Sequence, residues 1–327
     1  MSRPFAGRVR TCAKINLHLA VGRRGRDGYH PVETLLQTID WGDDLTLRTG
    51  PPGEVSLRVR GPAGIPGGED NLVLRAARLW LAAGRRSGST KPPGLRFELT
   101  KRLPAGAGLG GGSGDAAATL LLLEQARAPQ RRGAPGPAVL RRLGALARRL
   151  GADVPFFLRG GLARGTGHGD RVRSLTSLPD HAVLVVLPPF RLGTAEVYAR
   201  FDRLPRPPSA PRQGAGPAAV LRALRVGRTP LELRNDLERP VFDLHPEMEE
   251  ARRRLGADGA LLCGLSGSGS ALFALFESAV TPRRLAEAWR ARGWEAHVCG
   301  LLAGPAWRAR FANPAPARRL SAGGRAG

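Results

Sequence analysis

Apolar and polar residues alternate over much of the first 60 residues, and the apolar spacing widens to three or four near residue 71. Alternation predicts half-buried strands, whereas the wider spacing predicts amphipathic helices. Strands are therefore expected at 9–19, 31–39, 44–48, 54–60 and 95–100. Helices are expected at 71–83, 115–126 and 138–150. The last of these helices ends at Gly151, a residue type that commonly terminates helices.

The second half of the chain is also predicted to mix strands and helices. Residues 182–187 are apolar without interruption and predict a buried strand. Strands are expected at 261–265 and 271–276, helices at 194–201, 246–255 and 282–292, and a closing segment at 296–302. Residues 128–137 and 205–216 are rich in Pro and predict loops. We predict an α+β chain with domains at 1–164 and 165–310 and a disordered tail, rich in Ala, Pro and Arg, at 311–327.

A glycine-rich segment joins the strand at 95–100 to the helix expected at 115–126. Glycines permit positive φ and close backbone approach, so successive N–H groups can point into one concavity. Ser113 is expected to cap the following helix, whose positive end then faces the same concavity. These features predict a polyphosphate site. The segment lacks the Gly-Lys-Ser/Thr ending of a Walker loop and the βαβ context of a dinucleotide fingerprint.

Composition narrows the class of protein. The formal charge is +24 at pH 7, from 51 Lys and Arg against 27 Asp and Glu, which would ordinarily suggest nucleic acid. The basic residues are spread along the chain and aromatics make up only 5%, so compositional bias is the preferred explanation. The three cysteines have no metal spacing, and no apolar run is long enough for a membrane span or a signal peptide. We expect a cytoplasmic protein.

Four further motifs occur in order: Ala-Lys-Ile-Asn-Leu from residue 13, Asp-Gly-Tyr-His from residue 27, Leu-Gly-Ala-Asp-Val-Pro from residue 150 and Gly-Leu-Ser-Gly-Ser-Gly-Ser from residue 264. With the glycine-rich segment, they resemble the GHMP superfamily of small-molecule kinases from about residue 9 to residue 299. The second and third motifs look like the branch that phosphorylates the 2-hydroxyl of a cytidine-diphosphate derivative of methylerythritol, in the non-mevalonate isoprenoid pathway.

The resemblance implies a two-domain GHMP kinase fold. Its N-terminal nucleotide-binding domain would contain a left-handed β-α-β unit, and its smaller C-terminal substrate domain would be an α/β sandwich. The resemblance also implies ATP, accompanied by Mg²⁺ and bound without a dedicated protein metal site. The residues assigned to ATP are Lys101, Pro104, Ala105, Gly106, Ala107, Gly108, Leu109, Gly110, Gly111, Gly112, Ser113 and Gly114. Gly114 departs from the family pattern, in which a second Ser is frequent.

Lys14 and Asp153 are the candidate catalytic residues. An acceptor hydroxyl needs a base or an oriented hydrogen-bond acceptor, and a carboxylate at a turn can serve as both. Lys14 lies in an apolar strand, where a cation is costly unless it is paired, and the resemblance pairs it with Asp153. Asn16 lies on the same strand face and is assigned to the substrate. The alternatives are a helix-capping Asp153, a solvated Lys14 and an Asn16 on a half-exposed strand.

The remaining assignments concern the acceptor substrate. A tyrosine ring can stack on a pyrimidine and an imidazole can bind its edge, so Tyr29 and His30 are expected to read cytosine. Tyr198 resembles a second aromatic wall; the alternative for both tyrosines is ordinary packing. The resemblance also assigns Thr194, Ser266 and Gly267 to the substrate, whereas Asn235 and Asp236 receive no role.

Two other functions stay open. The first is a GHMP kinase for another small alcohol, such as homoserine or mevalonate, which carries no base for Tyr29 and His30. The second is a basic nucleic-acid-binding protein on a related fold, which would not need Lys14, Asp153 and the glycine-rich segment together. We expect small-molecule substrates, no specific nucleic acid, no membrane, and a monomer or weak homodimer.

Overall fold

The computed structural model describes residues 4–61, 65, 67–84, 93–128, 130, 133–205, 216–226, 231–312 and 314–316. Its strands are β1 (Ala6–Arg10), β2 (Ala13–Val21), β3 (Val32–Ile39), β4 (Asp44–Gly50), β5 (Val55–Arg60), β6 (Gly94–Thr100), β7 (Leu162–Thr166), β8 (Arg171–Ser174), β9 (Ala182–Leu187), β10 (Leu231–Glu232), β11 (Leu262–Leu265), β12 (Leu272–Phe276), β13 (Glu295–Gly300) and β14 (Ala315–Pro316). Its helices are α1 (Leu72–Gly84), α2 (Gly111–Arg127), α3 (Pro137–Leu150), α4 (Val154–Phe157), α5 (Thr194–Arg203), α6 (Pro217–Val226), α7 (Glu238–Leu244), α8 (Pro246–Ala257), α9 (Val280–Ala291) and α10 (Gly304–Ala309).

The first domain is built on a sheet with the strand order β14-β1-β4-β6-β5. Strands β5 and β6 are parallel neighbours joined through α1, so they form a β-α-β unit. Helices α1 to α4 share one core with β1, β4 and β6, and α2 is its centre because its residues 120–123 are all fully buried leucines. This burial fixes the start of α2 against the sheet. The glycine-rich segment that precedes α2 is thereby held at the edge of the core.

A second sheet, β2-β3-β7-β8, is antiparallel throughout and joins the two domains. Ile15 and Leu17 of β2 share a core with Val183 and Val185 of β9, which belongs to the C-terminal sheet. Because side chains alternate along a strand, Leu184 and the other intervening residue of β9 face the opposite way. They pack with α5, α7, α8 and α9. The C-terminal sheet, in the order β10-β11-β12-β9-β13, therefore lies between helices and the second sheet.

The expected strand at 9–19 is wrong, because the chain changes sheets within it. Strand β1 belongs to the first sheet and β2 to the second, with Thr11 and Cys12 between them. Two hydrogen bonds to Asp43 fix the chain at this change of sheet. The Thr11 N–H donates to the Asp43 carbonyl at 2.7 Å, and the Thr11 hydroxyl accepts from the Asp43 N–H at 2.9 Å. Apolar alternation continues on both sides of the break, so the pattern of hydrophobicity does not reveal it.

The predicted domain boundary at 164/165 lies inside β7, which pairs with β3 and continues into the β7–β8 hairpin. The chain leaves the second sheet only after Ser174. The hairpin, α4, α6, α7 and α10 were not expected from the sequence pattern. Most of these elements are short, and their Gly and Pro residues favour a loop prediction. Within the described residues, no helix is both long and apolar enough to cross a membrane.

The expectation of disorder from residue 311 onward is wrong for the part of this segment that the structure describes. Phe311 is fully buried and its ring meets that of Trp307 at a centroid distance of 4.8 Å. The Trp307 indole N–H donates to the Phe157 carbonyl at 2.6 Å. Strand β14 then pairs antiparallel with β1. The composition of the segment is typical of disorder, but two aromatic rings anchor its start; residues 317–327 lie outside the described residues.

We expect Phe311→Ala to lower the free energy of unfolding by about 3–5 kcal/mol, the usual cost of emptying a fully buried Phe site. Removal of the ring leaves a cavity beside Trp307, at the base of α4. Denaturant unfolding of the purified variant measures the change. Val280→Ala is the control, because Val280 is 69% exposed and its truncation should change stability by only about 0.5 kcal/mol. Equal stabilities of the two variants would contradict the packing described for the C-terminal segment.

Candidate active site

Helix α2 begins at Gly111, before the expected start at residue 115, and Gly110 occupies the N-cap at φ +68° with no side-chain cap. The prediction that Ser113 caps α2 is therefore wrong, because a left-handed glycine makes the cap and Ser113 lies in the first turn. The first turn of a helix leaves its N–H groups without intrahelical partners. With the positive end of the helix dipole, these groups favour an anion such as phosphate.

Glycine is required at position 108 because two backbone segments meet there. Gly108 has φ +73°, and a Cβ built on it would lie 2.0 Å from the Ser266 carbonyl oxygen. The Ser266 hydroxyl donates to the Gly108 carbonyl at 2.9 Å, and the Ala271 N–H donates to the Ala107 carbonyl at 3.1 Å. The glycine-rich segment of the first domain thus packs directly on the Ser/Gly turn between β11 and β12.

The glycine-rich segment lines a pocket of about 340 Å³ at the start of α2. Residues 104–108 and 110–113 line the pocket, and Asp70, Asn71 and Leu72 line it at the start of α1. Leu109 and Gly114 do not line this pocket. Leu109 is buried, and a Cβ at Gly114 would lie 2.6 Å from the Cys12 carbonyl oxygen. Close packing therefore excludes a second Ser at this position.

Lys14 lies on β2, beside the glycine-rich segment and the Ser/Gly turn, with 4% of its surface exposed. Its Nζ donates to Asn16 Oδ1 at 2.5 Å, which confirms that the two side chains share one strand face. A Cβ on Gly267 would lie 3.2 Å from the Lys14 Nζ, and one on Gly110 would lie 3.2 Å from its Cγ. Burial lowers the pKa of Lys14 and the charge of Asp153 partly opposes this effect. The Lys14 side chain thus lies between the glycine-rich segment, which is close to its Cγ, and the Ser/Gly turn, which is close to its ammonium.

Asp153 stands at the N-cap of α4 and is half-buried. Its side chain makes no cap hydrogen bond, and no ion pair within 4 Å is present for it among the residues the structure describes. Its negative charge raises the pKa of Lys14 and, after burial, contributes to raising that of Tyr198. The charge of Asp153 therefore acts on both Lys14 and Tyr198.

Lys101, one of the residues assigned to ATP, is buried and paired with two carboxylates. Its ammonium is buried between the carboxylates of Asp43 and Asp115, and the distance to the Asp115 oxygen is 2.8 Å. Burial raises the pKa of Asp115 to about 7, while the Lys101 charge acts in the opposite direction. A Cβ on Gly111 would lie 3.5 Å from the Lys101 Nζ. Lys101 lines the pocket, but its ammonium is paired with Asp115 near the start of α2. Its assignment to ATP therefore stays a prediction.

The aromatic residues predicted to bind the acceptor lie around the residue 27–30 turn and α5. Tyr29 is 65% exposed, and its ring meets that of His168 at 5.3 Å. His30 is buried, with its ring 5.4 Å from that of Tyr198. Both His30 nitrogens have protein partners: the Gly22 carbonyl at 3.0 Å and Asp202 at 3.2 Å. Binding of a base edge by this imidazole would require one of these contacts to be exchanged.

Hydrogen bonds hold the Ser/Gly turn in place. One comes from a residue that the resemblance assigns to the substrate, and others come from a residue with no assigned role. Thr194, the first residue of α5, has its hydroxyl 2.9 Å from that of Ser268. Asn235, which had no assigned role, donates to the Leu265 and Gly267 carbonyls at 2.9 and 2.8 Å. Its neighbour Asp236 accepts from the Val21 N–H at 2.8 Å. This Asn-Asp pair fixes the turn against β2, a function that only the spatial contacts reveal.

Family models match both halves of the chain. The model of the GHMP kinases N terminal domain matches residues 71–161, and that of the GHMP kinases C terminal matches residues 220–294. The fold is shared with a homoserine kinase from Cytophaga hutchinsonii, at a TM-score of 0.66, 19% identity and coverage of 92% of this chain and 95% of that one. The chain belongs to the GHMP kinases and is an ATP-dependent small-molecule kinase.

Relatives with higher sequence identity to this chain define its family within the GHMP kinases. The chain is 42% identical over 294 residues to the 4-diphosphocytidyl-2-C-methyl-D-erythritol kinase of Thermus thermophilus, covering 89% of this chain and 96% of the relative. It is 38% identical over 278 residues to that of Solibacter usitatus, covering 84% and 83%. A crystal structure of a 4-(cytidine 5'-diphospho)-2C-methyl-D-erythritol kinase superposes with a TM-score of 0.70 at 41% identity, covering 91% of this chain and 100% of that chain. Within the GHMP kinases, the chain is a member of this family.

Proposed function

We propose that the protein transfers the γ-phosphoryl group of ATP to the 2-hydroxyl of 4-diphosphocytidyl-2-C-methyl-D-erythritol. The observation that carries the proposal is the position of the Lys14 side chain between the glycine-rich segment and the Ser/Gly turn, where the charge of Asp153 acts on its ammonium. Phosphoryl transfer depends on positioning and on neutralising charge that spreads over the transferred group. The names of the relatives supply the substrate.

In this mechanism the glycine-rich segment and the first turn of α2 hold the triphosphate through backbone N–H groups. The acceptor hydroxyl attacks the γ-phosphorus, the bond from that phosphorus to the bridging oxygen of ADP breaks, and Asp153 takes the hydroxyl proton. Lys14 stabilises the charge on the transferred oxygens. Thr194, Ser266 and Gly267 are proposed to line the acceptor side, where the start of α5 meets the Ser/Gly turn.

Mg²⁺ is proposed to accompany ATP and to bind mainly through phosphate oxygens, as is common for this ion. Among the described residues, no group of three or more His, Cys, Asp or Glu side chains could hold a metal ion. The Ser113 hydroxyl lies in the first turn of α2, beside the pocket, and is the proposed protein contact. When bound, the ion would neutralise phosphate charge.

We also propose a cytoplasmic location, supported by the thiol chemistry of the chain. Cys12, Cys263 and Cys299 are all free thiols. Burial raises the pKa of each of them, which keeps them protonated and unreactive. Proteins of oxidising compartments more often pair their cysteines in disulfides.

The assignment of the acceptor is tested with Tyr29. We expect Tyr29→Ala to raise KM for the cytidyl substrate by about ten-fold or more, because loss of a base-stacking ring costs about 1–3 kcal/mol. KM for ATP should stay within about two-fold of wild type, since the ATP pocket is formed by other residues. Steady-state kinetics with each substrate varied in turn measures both constants.

Tyr29→Phe is the matched control, because it keeps the ring and should retain the wild-type KM. Free methylerythritol and homoserine, offered to the wild-type protein with ATP, test whether the base is recognised at all. Turnover of either alcohol at the rate of the cytidyl compound would contradict the proposed substrate. A rise in KM for ATP in Tyr29→Ala would instead show that the two nucleotide sites are reversed.

A further inference from the structure

A second, larger groove lies between α3, the end of α4 and the β7–β8 hairpin, with a volume of about 920 Å³. Arg141 and Arg148 reach it from α3, Arg159 from beyond α4, and Arg171 and Arg173 from β8. The groove shares no lining residue with the pocket at the start of α2. We infer that this groove is a binding site for a small organic polyphosphate, separate from the ATP site.

The groove carries a strong excess of positive charge. Asp170 is the only acidic residue in its lining, and in the part of the chain that the structure describes, none of the five arginines forms an ion pair within 4 Å. Burial and then the charge of Arg159 lower the pKa of the adjacent Arg308, whose guanidinium donates to the Arg159 carbonyl at 2.7 Å. Several unpaired cations held in one concavity repel each other, so an anion bound among them relieves that repulsion.

The side chains that line the groove suit a ligand with several phosphates. Guanidinium groups bind phosphate oxygens in a bidentate manner, and five of them in one groove match a ligand with several phosphates. A volume of about 920 Å³ is within the range of small-ligand clefts. Leu140, Leu158 and Val172 supply an apolar wall for the organic part of such a ligand.

Two other anionic partners are less consistent with the groove. Single-stranded nucleic acid is usually held by stacking on aromatic rings, and no aromatic residue lines this groove. Attachment to a membrane surface commonly adds apolar side chains that enter the bilayer. The large hydrophobic residues exposed in the described ranges are Tyr29, Val226 and Val280, none of which lines the groove.

The test uses the full-length protein with inorganic tripolyphosphate as the probe, at 150 mM salt. Hydrogen exchange measured by mass spectrometry locates the binding. We expect tripolyphosphate to slow exchange in peptides covering α3 and the β7–β8 hairpin, in addition to the glycine-rich segment. In R148Q/R173Q the protection of α3 and the hairpin should require about ten-fold more tripolyphosphate or disappear, while that of the glycine-rich segment remains.

R283Q/R284Q is the matched control: it removes the same charge from exposed positions on α9 and should behave as wild type. The values of kcat and of KM for ATP should be unchanged in both double variants, which excludes misfolding as the cause. Protection confined to the glycine-rich segment would overturn the inference. So would equal loss in both double variants, or protection of the groove by a single-stranded RNA oligonucleotide but not by tripolyphosphate.

Discussion

Asp153→Asn is expected to lower kcat by roughly two to four orders of magnitude, the scale of a positioned general base. The substitution keeps the shape of the side chain and removes its ability to take a proton. Asp153 makes no cap hydrogen bond for α4, so the fold has little to lose. KM for ATP should remain near the wild-type value, because the proposed ATP pocket is lined by the glycine-rich segment and the start of α1.

Rapid-quench measurement of a single turnover separates the chemical step from product release in this experiment. Asp180→Asn is the control, since Asp180 is exposed and lies before β9, outside both pockets. A loss of less than about ten-fold in the rate of the chemical step, with normal ATP binding, would remove Asp153 from the role of base. Lys14 would then have to act on the phosphoryl group without a partnered carboxylate.

The order of motifs predicts the family and the chemistry more completely than the pattern of hydrophobicity predicts the fold. The motif resemblance groups in one site residues from distant parts of the chain: Lys14, Asn16, the glycine-rich segment and the Ser/Gly turn. In the structure, Lys14 contacts Asn16 and lies close to Gly110 and Gly267 of these two segments. Local propensity misplaced the start of α2, because consecutive glycines are poor helix formers and favour a later start. Burial of α2 against the sheet overrides this preference.

Two other differences arise from contacts that local sequence does not encode. The sheet change at Thr11 depends on hydrogen bonds to Asp43, which is far away along the chain. The C-terminal segment is rich in Ala, Pro and Arg, but a single ring, that of Phe311, fills the core beside Trp307. Average composition describes a segment poorly when one of its residues is anchored in the core.

The two buried lysines near the proposed ATP pocket, Lys14 and Lys101, illustrate the same limit. A lysine beside a phosphate-binding segment is compatible with contact to phosphate or with pairing to a carboxylate, and the sequence does not separate these roles. Lys101 is paired with Asp43 and Asp115, whereas the hydrogen-bond partner of Lys14 among the described residues is the neutral Asn16. The structure therefore predicts opposite consequences for removal of the two charges.

We expect Lys14→Met to lower kcat by about two to three orders of magnitude, as for removal of a group that stabilises charge in the transition state. Its stability should stay close to that of wild type, because burial disfavours the Lys14 charge and Met removes it. Lys101→Met should instead lower the free energy of unfolding by about 3–5 kcal/mol, because it leaves two buried carboxylates without their cation.

Denaturant unfolding and single-turnover kinetics of both variants measure this contrast, and pH dependence adds a second readout. Because the active form of Lys14 is protonated and burial lowers its pKa, the rate of the chemical step should fall as the pH rises toward that lowered value. Asp153 raises the pKa of Lys14, so the residual activity of Asp153→Asn should fall at a lower pH than that of wild type. A structural rather than catalytic Lys14 ammonium would give a different result. Lys14→Met would then lose as much stability as Lys101→Met, and the fraction that stays folded would carry out the chemical step at the wild-type rate.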